Sequence, residues 1–134
     1  MGVGKDYLVE IAKFRALQML LSQLEEIHEV RINLQLIVRT GFCNKSLVDP
    51  YTNLLRLSTE GLSAVMGGAA FVCLQPYDAL STEGASAFAE RMALNVGNLL
   101  SEEAQLSTLN DPLSGAYAIE QLTLALAKKS WSLL

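Results

Sequence analysis

Apolar residues spaced three and four apart predict a first helix over residues 5 to about 24. The charged stretch at 25–29 breaks that stripe. Positions 31–38 then alternate before they become fully apolar, which predicts a strand that is buried on both faces toward its end. A second apolar run at 69–74 predicts another buried strand, and positions 116–119 predict a third, short one.

Capping and stop signals predict three more helices. Asp49 is an N-cap acceptor and Pro50 suits the first helical position, so a helix is expected from 50 to about 66, where Gly67-Gly68 stops it. Further helices are predicted at about 85–104 and at 120–133. The side chains expected to face inward on these helices are Leu54, Leu55, Leu62, Val65, Met66, Phe88, Met92, Val96, Leu99, Leu100, Ile119, Leu122, Leu126 and Leu133.

Strands that alternate with helices, and that are too apolar for an exposed face, predict a single α/β domain over residues 1–134 with a parallel sheet. A complete (β/α)8 barrel needs about 250 residues, so if this chain is part of a barrel, it is roughly half of one. A half barrel leaves strands and apolar faces uncovered. We therefore expect the chain to associate with another subunit or a second copy, through the strand at 31–38 or the short strand near Ala116.

Composition narrows the classes of partner. The chain of 134 residues is 51% hydrophobic and 18% charged, as expected for a folded core, and its net charge of −4 gives no basic surface for nucleic acid. The apolar runs are far shorter than the roughly 20 residues that span a bilayer, so no membrane partner is expected. No export signal is evident and there are only two cysteines, which favours a reduced, cytoplasmic protein.

Few residues suggest chemistry of their own. His28 is the only histidine and lies in an acidic turn, where a solvated surface position is expected instead of a metal site. Cys43 and Cys73 lie at or just beyond the ends of predicted strands, yet no histidine lies near either in sequence, so we expect small, buried core cysteines.

The remaining candidates also have structural explanations. Gly67-Gly68 lacks the phosphate-binding glycine patterns and is expected only to end a helix. Capping and turn formation account for Asp49 and Asp111, each of which precedes a proline. Four charged residues on the predicted helices are expected to form surface ion pairs: Arg56, Glu60, Arg91 and Glu120.

Four separated segments together resemble methylmalonyl-CoA mutase in order and spacing. They lie at 3–16, 49–56, 67–69 and 111–117, and include Asp49-Pro50-Tyr51 and Asp111-Pro112-Leu113-Ser114-Gly115. The resemblance covers nearly the whole chain and implies the C-terminal part of that family's substrate-binding (β/α)8 (TIM) barrel. The chain would then supply the last three β/α units, preceded by one helix.

The resemblance also indicates which family residues have been replaced. Catalytic members carry a loop similar to Gln-Thr-Ser-Gly-Trp and a segment similar to Ser-Leu-His-Thr-Asn-x-Phe-Asp-Glu, whose glutamine, tryptophan, serine, histidine and glutamate are lost here. Those five positions hold Arg39, Cys43, Phe71, Cys73 and Ala79. The resemblance therefore implies no catalytic residue, no metal ligand and no cofactor-binding residue in this chain, with adenosylcobalamin bound elsewhere in the full assembly.

Asn44-Lys45-Ser46, just before Asp49-Pro50-Tyr51, is similar to the family's non-catalytic small subunit. Departures from the family pattern at Leu94 and Ala116 also favour a structural role. The resemblance implies a piece of a small subunit, inactive alone, that pairs with a catalytic large subunit or a second copy in the isomerisation of methylmalonyl-CoA to succinyl-CoA. Two alternatives stay open: a piece of a catalytic acyl-CoA mutase chain, and a stand-alone acyl-CoA-binding module.

Overall fold

A three-stranded parallel sheet forms the centre of the structure. The computed structural model describes residues 1–108 and 110–133. Its strands are β1 (Gly2–Val3), β2 (Ile37–Thr40) and β3 (Phe71–Cys73), in the order β1-β2-β3. All neighbours are parallel, with Val3 opposite Thr40 and Val38 opposite Val72. The helices α1 (Tyr7–His28) and α2 (Pro50–Met66) make the two crossovers.

After β3, the described residues form helical segments joined by loops, and no further strand. Helix α3 (Ala87–Asn98) runs into a π-helical turn, Leu99–Glu103, and a 3-10 turn at Leu106–Thr108 follows. Helix α4 (Tyr117–Trp131) then packs against α1. The described residues thus form an α/β fold with a parallel sheet, as predicted. None of the described helices is long and apolar enough to cross a membrane.

The third strand lies at the start of the chain, so the predicted element order is wrong. Three β/α units are followed by one helix, where one helix was expected to precede them. Ala116 directly precedes α4 because Glu120 holds the start of that helix, accepting a hydrogen bond at Oε1 from the Gly115 amide at 2.7 Å. Strand β1 has two residues, too few for any periodicity, and is defined by its hydrogen bonds to β2.

Two element boundaries also differ from those predicted. Helix α1 continues through the charged stretch to His28 and ends at Glu29, whose φ of 53° is left-handed. Glutamates are good helix formers, so the charged stretch does not end the helix. Strand β2 begins only at Ile37, after an irregular segment that includes a hydrogen bond from the Ile32 amide to the Glu25 carboxylate.

Only one face of the sheet is covered, which corrects the expectation that the strands are buried on both faces. Val3, Val38 and Thr40 are buried on the covered face, where Phe14 of α1 and Ala64 of α2 pack. On the opposite face, Ile37 and Phe71 are 58% and 57% exposed. The helices that pack on the sheet within the described residues lie on the first face, so none of them covers the alternate strand residues. We call this second face the open face.

The buried side of α2 also differs from the predicted one. Asn53, Leu57, Glu60 and Ala64 face inward, whereas Leu55 is 70% exposed. Small residues cause this shift: Gly61 lies so close to Leu74 and Leu100 that a Cβ there would be 3.0 Å from Leu100 Cδ1. Other side chains expected to face inward are also exposed, namely Phe88, Leu99 and Leu133.

The predicted capping and turn residues are confirmed. The Asp49 side chain accepts a hydrogen bond from the Thr52 amide, with Pro50 first in the helix, and Gly67 ends it. Hydrogen bonding from Thr52 lowers the pKa of Asp49. Asp111 Oδ1 accepts a turn hydrogen bond from the Leu113 amide at 3.2 Å. It also pairs with Arg15 Nη1 at 2.6 Å, and this hydrogen bond lowers the pKa of Asp111.

Replacing Gly67 with alanine should destabilise the fold. A Cβ at this position would lie 2.7 Å from Cδ2 of Phe14, which is fully buried and cannot move aside without disturbing the core. We expect Gly67→Ala to lower the free energy of unfolding by about 1–3 kcal/mol, the usual cost of overpacking. Urea denaturation followed by circular dichroism measures it.

Gly97→Ala is the matched control and should have the opposite sign. A Cβ there would meet only Leu74 Cδ1, at an ordinary 3.9 Å. Alanine inside a helix is favoured over glycine by about 0.5–1 kcal/mol, so α3 should become more stable. Equal effects of the two substitutions would contradict the packing described around Gly67.

Candidate functional site

Three of the five positions that the family resemblance singles out lie side by side on the open face. Arg39 of β2 is directly opposite Cys73 of β3, and Phe71 lies two residues earlier on β3. All three are exposed. The parallel register alone brings them together, since alternate residues of neighbouring strands share a face.

Gln75 organises the carboxyl edge of this face. Its side-chain oxygen accepts a hydrogen bond from Arg39 Nη2 at 2.8 Å, and its Nε2 donates to Cys73 Sγ at 3.3 Å. Its backbone amide donates to Thr40 Oγ1 at 2.8 Å. The Arg39 guanidinium also lies 5.9 Å from the centre of the Phe42 ring, within cation–π range. The guanidinium is therefore held by neighbours of its own chain.

The other two positions lie on loops at the same edge. Cys43 is exposed in the loop at 41–49, which follows β2. Ala79 lies in the turn after β3, and its amide donates to the Pro76 carbonyl at 3.2 Å. The fold therefore gathers all five positions on the open face and its carboxyl edge, but only three of them share one patch of the sheet.

Both cysteines are exposed, so the expectation of buried core thiols is wrong. Cys73 points away from the helices because it is an odd-numbered residue of a strand whose even-numbered Val72 packs inward. His28 is exposed at the end of α1, as predicted. Within the described residues, no three His, Cys, Asp or Glu side chains converge on a common point.

A buried ion pair lies beneath the carboxyl edge. Lys45 Nζ lies 2.7 Å from both carboxylate oxygens of Glu60, and Asn44 Nδ2 donates to Oε1 at 2.6 Å. The side chains of Lys45 and Glu60 are only 4% and 1% exposed. Glu60 was expected to form a surface ion pair. It is buried because it lies on the inner side of α2 and the loop at 41–49 folds over it.

Asn53 ties the same loop to the segment after β3. Its Nδ2 donates to the carbonyls of Ser46 and Tyr77, at 2.8 and 3.0 Å. Its Oδ1 accepts from the Ser46 amide at 2.8 Å and from Arg56 Nη1 at 3.0 Å. Asn53 is 1% exposed, so α2 supplies buried polar anchors to two separate loops.

These anchors were missed by sequence reasoning, although a signal for them exists. Residues 53, 57, 60 and 64 follow the helical spacing of a buried face, and two of the four are polar. A polar residue at such a position predicts a buried partner, because an unpaired buried polar group is costly. Lys45 and the polar residues around it were the available partners.

The fold and the open face define a class of structure: a parallel β/α unit with helices on one side only. The family model for methylmalonyl-CoA mutase matches residues 1–134. The methylmalonyl-CoA mutase small subunit of Porphyromonas gingivalis is 34% identical over 137 residues, which cover 98% of this chain and 22% of that protein. The chain belongs to the methylmalonyl-CoA mutase family.

Other relatives from the same family match the chain at similar identity. The methylmalonyl-CoA mutase of Rhizobium meliloti is 34% identical over 141 residues, covering 99% of this chain and 19% of that protein. The methylmalonyl-CoA mutase small subunit of Propionibacterium freudenreichii subsp. shermanii is 32% identical over 129 residues, covering 94% and 20%. The chain thus spans about a fifth of the length of these relatives.

Both thiols should react in the folded protein. Because Cys43 and Cys73 are free and exposed, Ellman's reagent should titrate two thiols in buffer and the same number in guanidinium chloride. Cys73→Ser should leave one reactive thiol. Thiols that react only after denaturation would show that these side chains are buried.

Proposed function

We propose that this chain is a structural, non-catalytic part of a methylmalonyl-CoA mutase small subunit. It contributes β/α units to the C-terminal part of a (β/α)8 barrel in a cytoplasmic assembly that uses adenosylcobalamin to isomerise methylmalonyl-CoA to succinyl-CoA. The observation that carries this proposal is the set of side chains on the open face and its edge: Arg39, Cys43, Phe71, Cys73 and Ala79. The exposed free cysteines favour a reducing compartment.

The residues at those five positions do not fit a cobalamin face. The Arg39 guanidinium is engaged by Gln75 and Phe42, and Phe71 and Ala79 have no polar side-chain atoms to offer. The described edge contains no imidazole, since the one histidine lies at the end of α1. We therefore assign this chain no catalytic, cofactor or metal residue, and derive no chemical step from it.

The open face supports the barrel part of the proposal. Ile37 and Phe71 are more than half exposed although both are large and apolar. Burying such a side chain fully stabilises a protein by about 1.5–3 kcal/mol, so covering this face would be favourable. A catalytic large subunit or a second copy of the chain could supply the cover.

The surface proposed for this contact differs from the one expected from the sequence. Strand β2 is central and already paired on both sides, so the segment at 31–38 offers no strand edge. Residues near Ala116 form no strand. We propose instead that the contact uses the open face and the free edges of β1 and β3.

A second candidate is a piece of a catalytic mutase chain. Relatives named simply methylmalonyl-CoA mutase match this chain at 34% identity, the same value as the small subunit of Porphyromonas gingivalis. Cofactor binding separates the two candidates, because only the catalytic one requires contacts from this edge.

Titration with adenosylcobalamin tests the proposed function. We expect no change in the visible spectrum of the cofactor on addition of this chain, since the edge offers it no fitting side chains. An intact catalytic methylmalonyl-CoA mutase serves as the positive control. A stoichiometric spectral change with this chain would favour the catalytic candidate.

Sedimentation velocity at micromolar concentration tests the association. We expect a dimer or larger species, and Phe71→Ser should weaken it by removing an apolar contact from the open face. Leu55→Ser is the matched control, because Leu55 is 70% exposed on α2, which packs on the covered face of the sheet. A monomer that unfolds cooperatively would contradict the proposed association.

A further inference from the structure

The loop at 41–49 reverses the usual distribution of side chains. Lys45 is buried, with its side chain 4% exposed, whereas Leu47 and Val48 are 70% and 97% exposed. Lysine is almost never fully buried unless it is paired. Something in the chain must therefore hold the loop in this orientation.

The Lys45–Glu60 pair is poorly explained as a source of stability. Removing two charges from water costs about as much as their attraction returns, so a buried pair replaced by apolar residues is often neutral or better. Removing one partner, in contrast, leaves an uncompensated buried charge. Such a pair therefore discriminates strongly between conformations, because any loop position that separates the two charges is penalised.

We propose that Lys45, Glu60 and Asn53 form a loop lock, in which they are positioning residues that hold the carboxyl-edge loops in one conformation. Lys45 donates to both carboxylate oxygens of Glu60. The Asn53 side chain bonds to both the backbone amide and the backbone carbonyl of Ser46. Asn53 also reaches the Tyr77 carbonyl, so the lock includes the segment after β3.

The loop lock gives a role to the Asn44-Lys45-Ser46 motif. Asn44 and Lys45 both donate to Glu60, and the backbone of Ser46 makes two hydrogen bonds with Asn53. All three motif residues therefore join the loop to α2. Cys43 lies directly before this anchored stretch and Leu47 directly after it, so both are held at fixed positions. This inference rests on contacts within the chain and does not depend on the proposed function.

The decisive variant replaces both charges. In Lys45→Met/Glu60→Leu, the free energy of unfolding should fall only by what the Asn44 amide loses with its partner Glu60, because apolar side chains of similar size replace the charged pair itself. Hydrogen exchange of the amides at 41–49 should nevertheless accelerate by about tenfold or more, since the loop opens locally. The matched control is Arg15→Met/Asp111→Leu, which removes a partly exposed ion pair and should leave exchange at 41–49 unchanged.

A second variant tests the other half of the lock. Asn53→Leu keeps the ion pair but removes the hydrogen bonds to Ser46 and Tyr77, so exchange should accelerate at 44–48 and at 77–79 together. A nitroxide attached to Cys43, in a Cys73→Ser background, should become more mobile in both variants.

Three outcomes would overturn the loop lock. The first is unchanged loop exchange in both variants while the chain stays folded. The second is loop exchange that rises only in proportion to the loss of global stability. The third is unfolding of the double variant, which would show that the pair serves stability and not conformation.

Discussion

The packing of α2 against all three strands is the interaction on which the rest of the structure depends. Through Ala64, α2 joins the cluster that contains Val3, Phe14 and Val38, and through Leu57 it joins a second cluster with Ala93 and Val96 of α3. One helix thus connects the sheet, α1 and α3. Because it lies on one face only, it also determines which strand residues remain uncovered.

Helix α2 can connect these elements because small side chains let it lie close to them. Gly61, Ser63 and Ala64 are buried on α2, and Ala93 of α3 packs against Leu57 of the same helix α2. Small side chains let the backbones lie close together but fill little volume. Longer polar side chains of α2 therefore occupy interior positions as well. Glu60 and Asn53 occupy such positions, and each finds its partners in the loops that α2 supports.

Local signals in the sequence predicted local structure well. The N-cap at Asp49, the stop at Gly67 and the turn at Asp111 each depend on a few neighbouring residues, and all three are confirmed. Features that depend on tertiary contacts were missed. The inward side of α2 follows from what Gly61 permits, and β1 exists only because β2 pairs with it.

The candidate site shows the same division. The five positions were singled out by a family resemblance in the sequence, whereas the exposure of Cys73 follows from the strand's orientation in the sheet, which helix packing sets. The buried role of Glu60 was missed because its partners lie in a loop 15 residues away along the chain. Sequence reasoning assigned that carboxylate to the surface by residue type alone.

The reversed loop has a consequence for how mutations in it are interpreted. Lys45 has the environment of an interior residue, so a substitution there meets limits of shape and charge on every side. Val48, at 97% exposure, meets almost nothing but water. A ranking of tolerated substitutions by hydropathy would therefore reverse the true order. It would treat Val48 as constrained and Lys45 as freely replaceable.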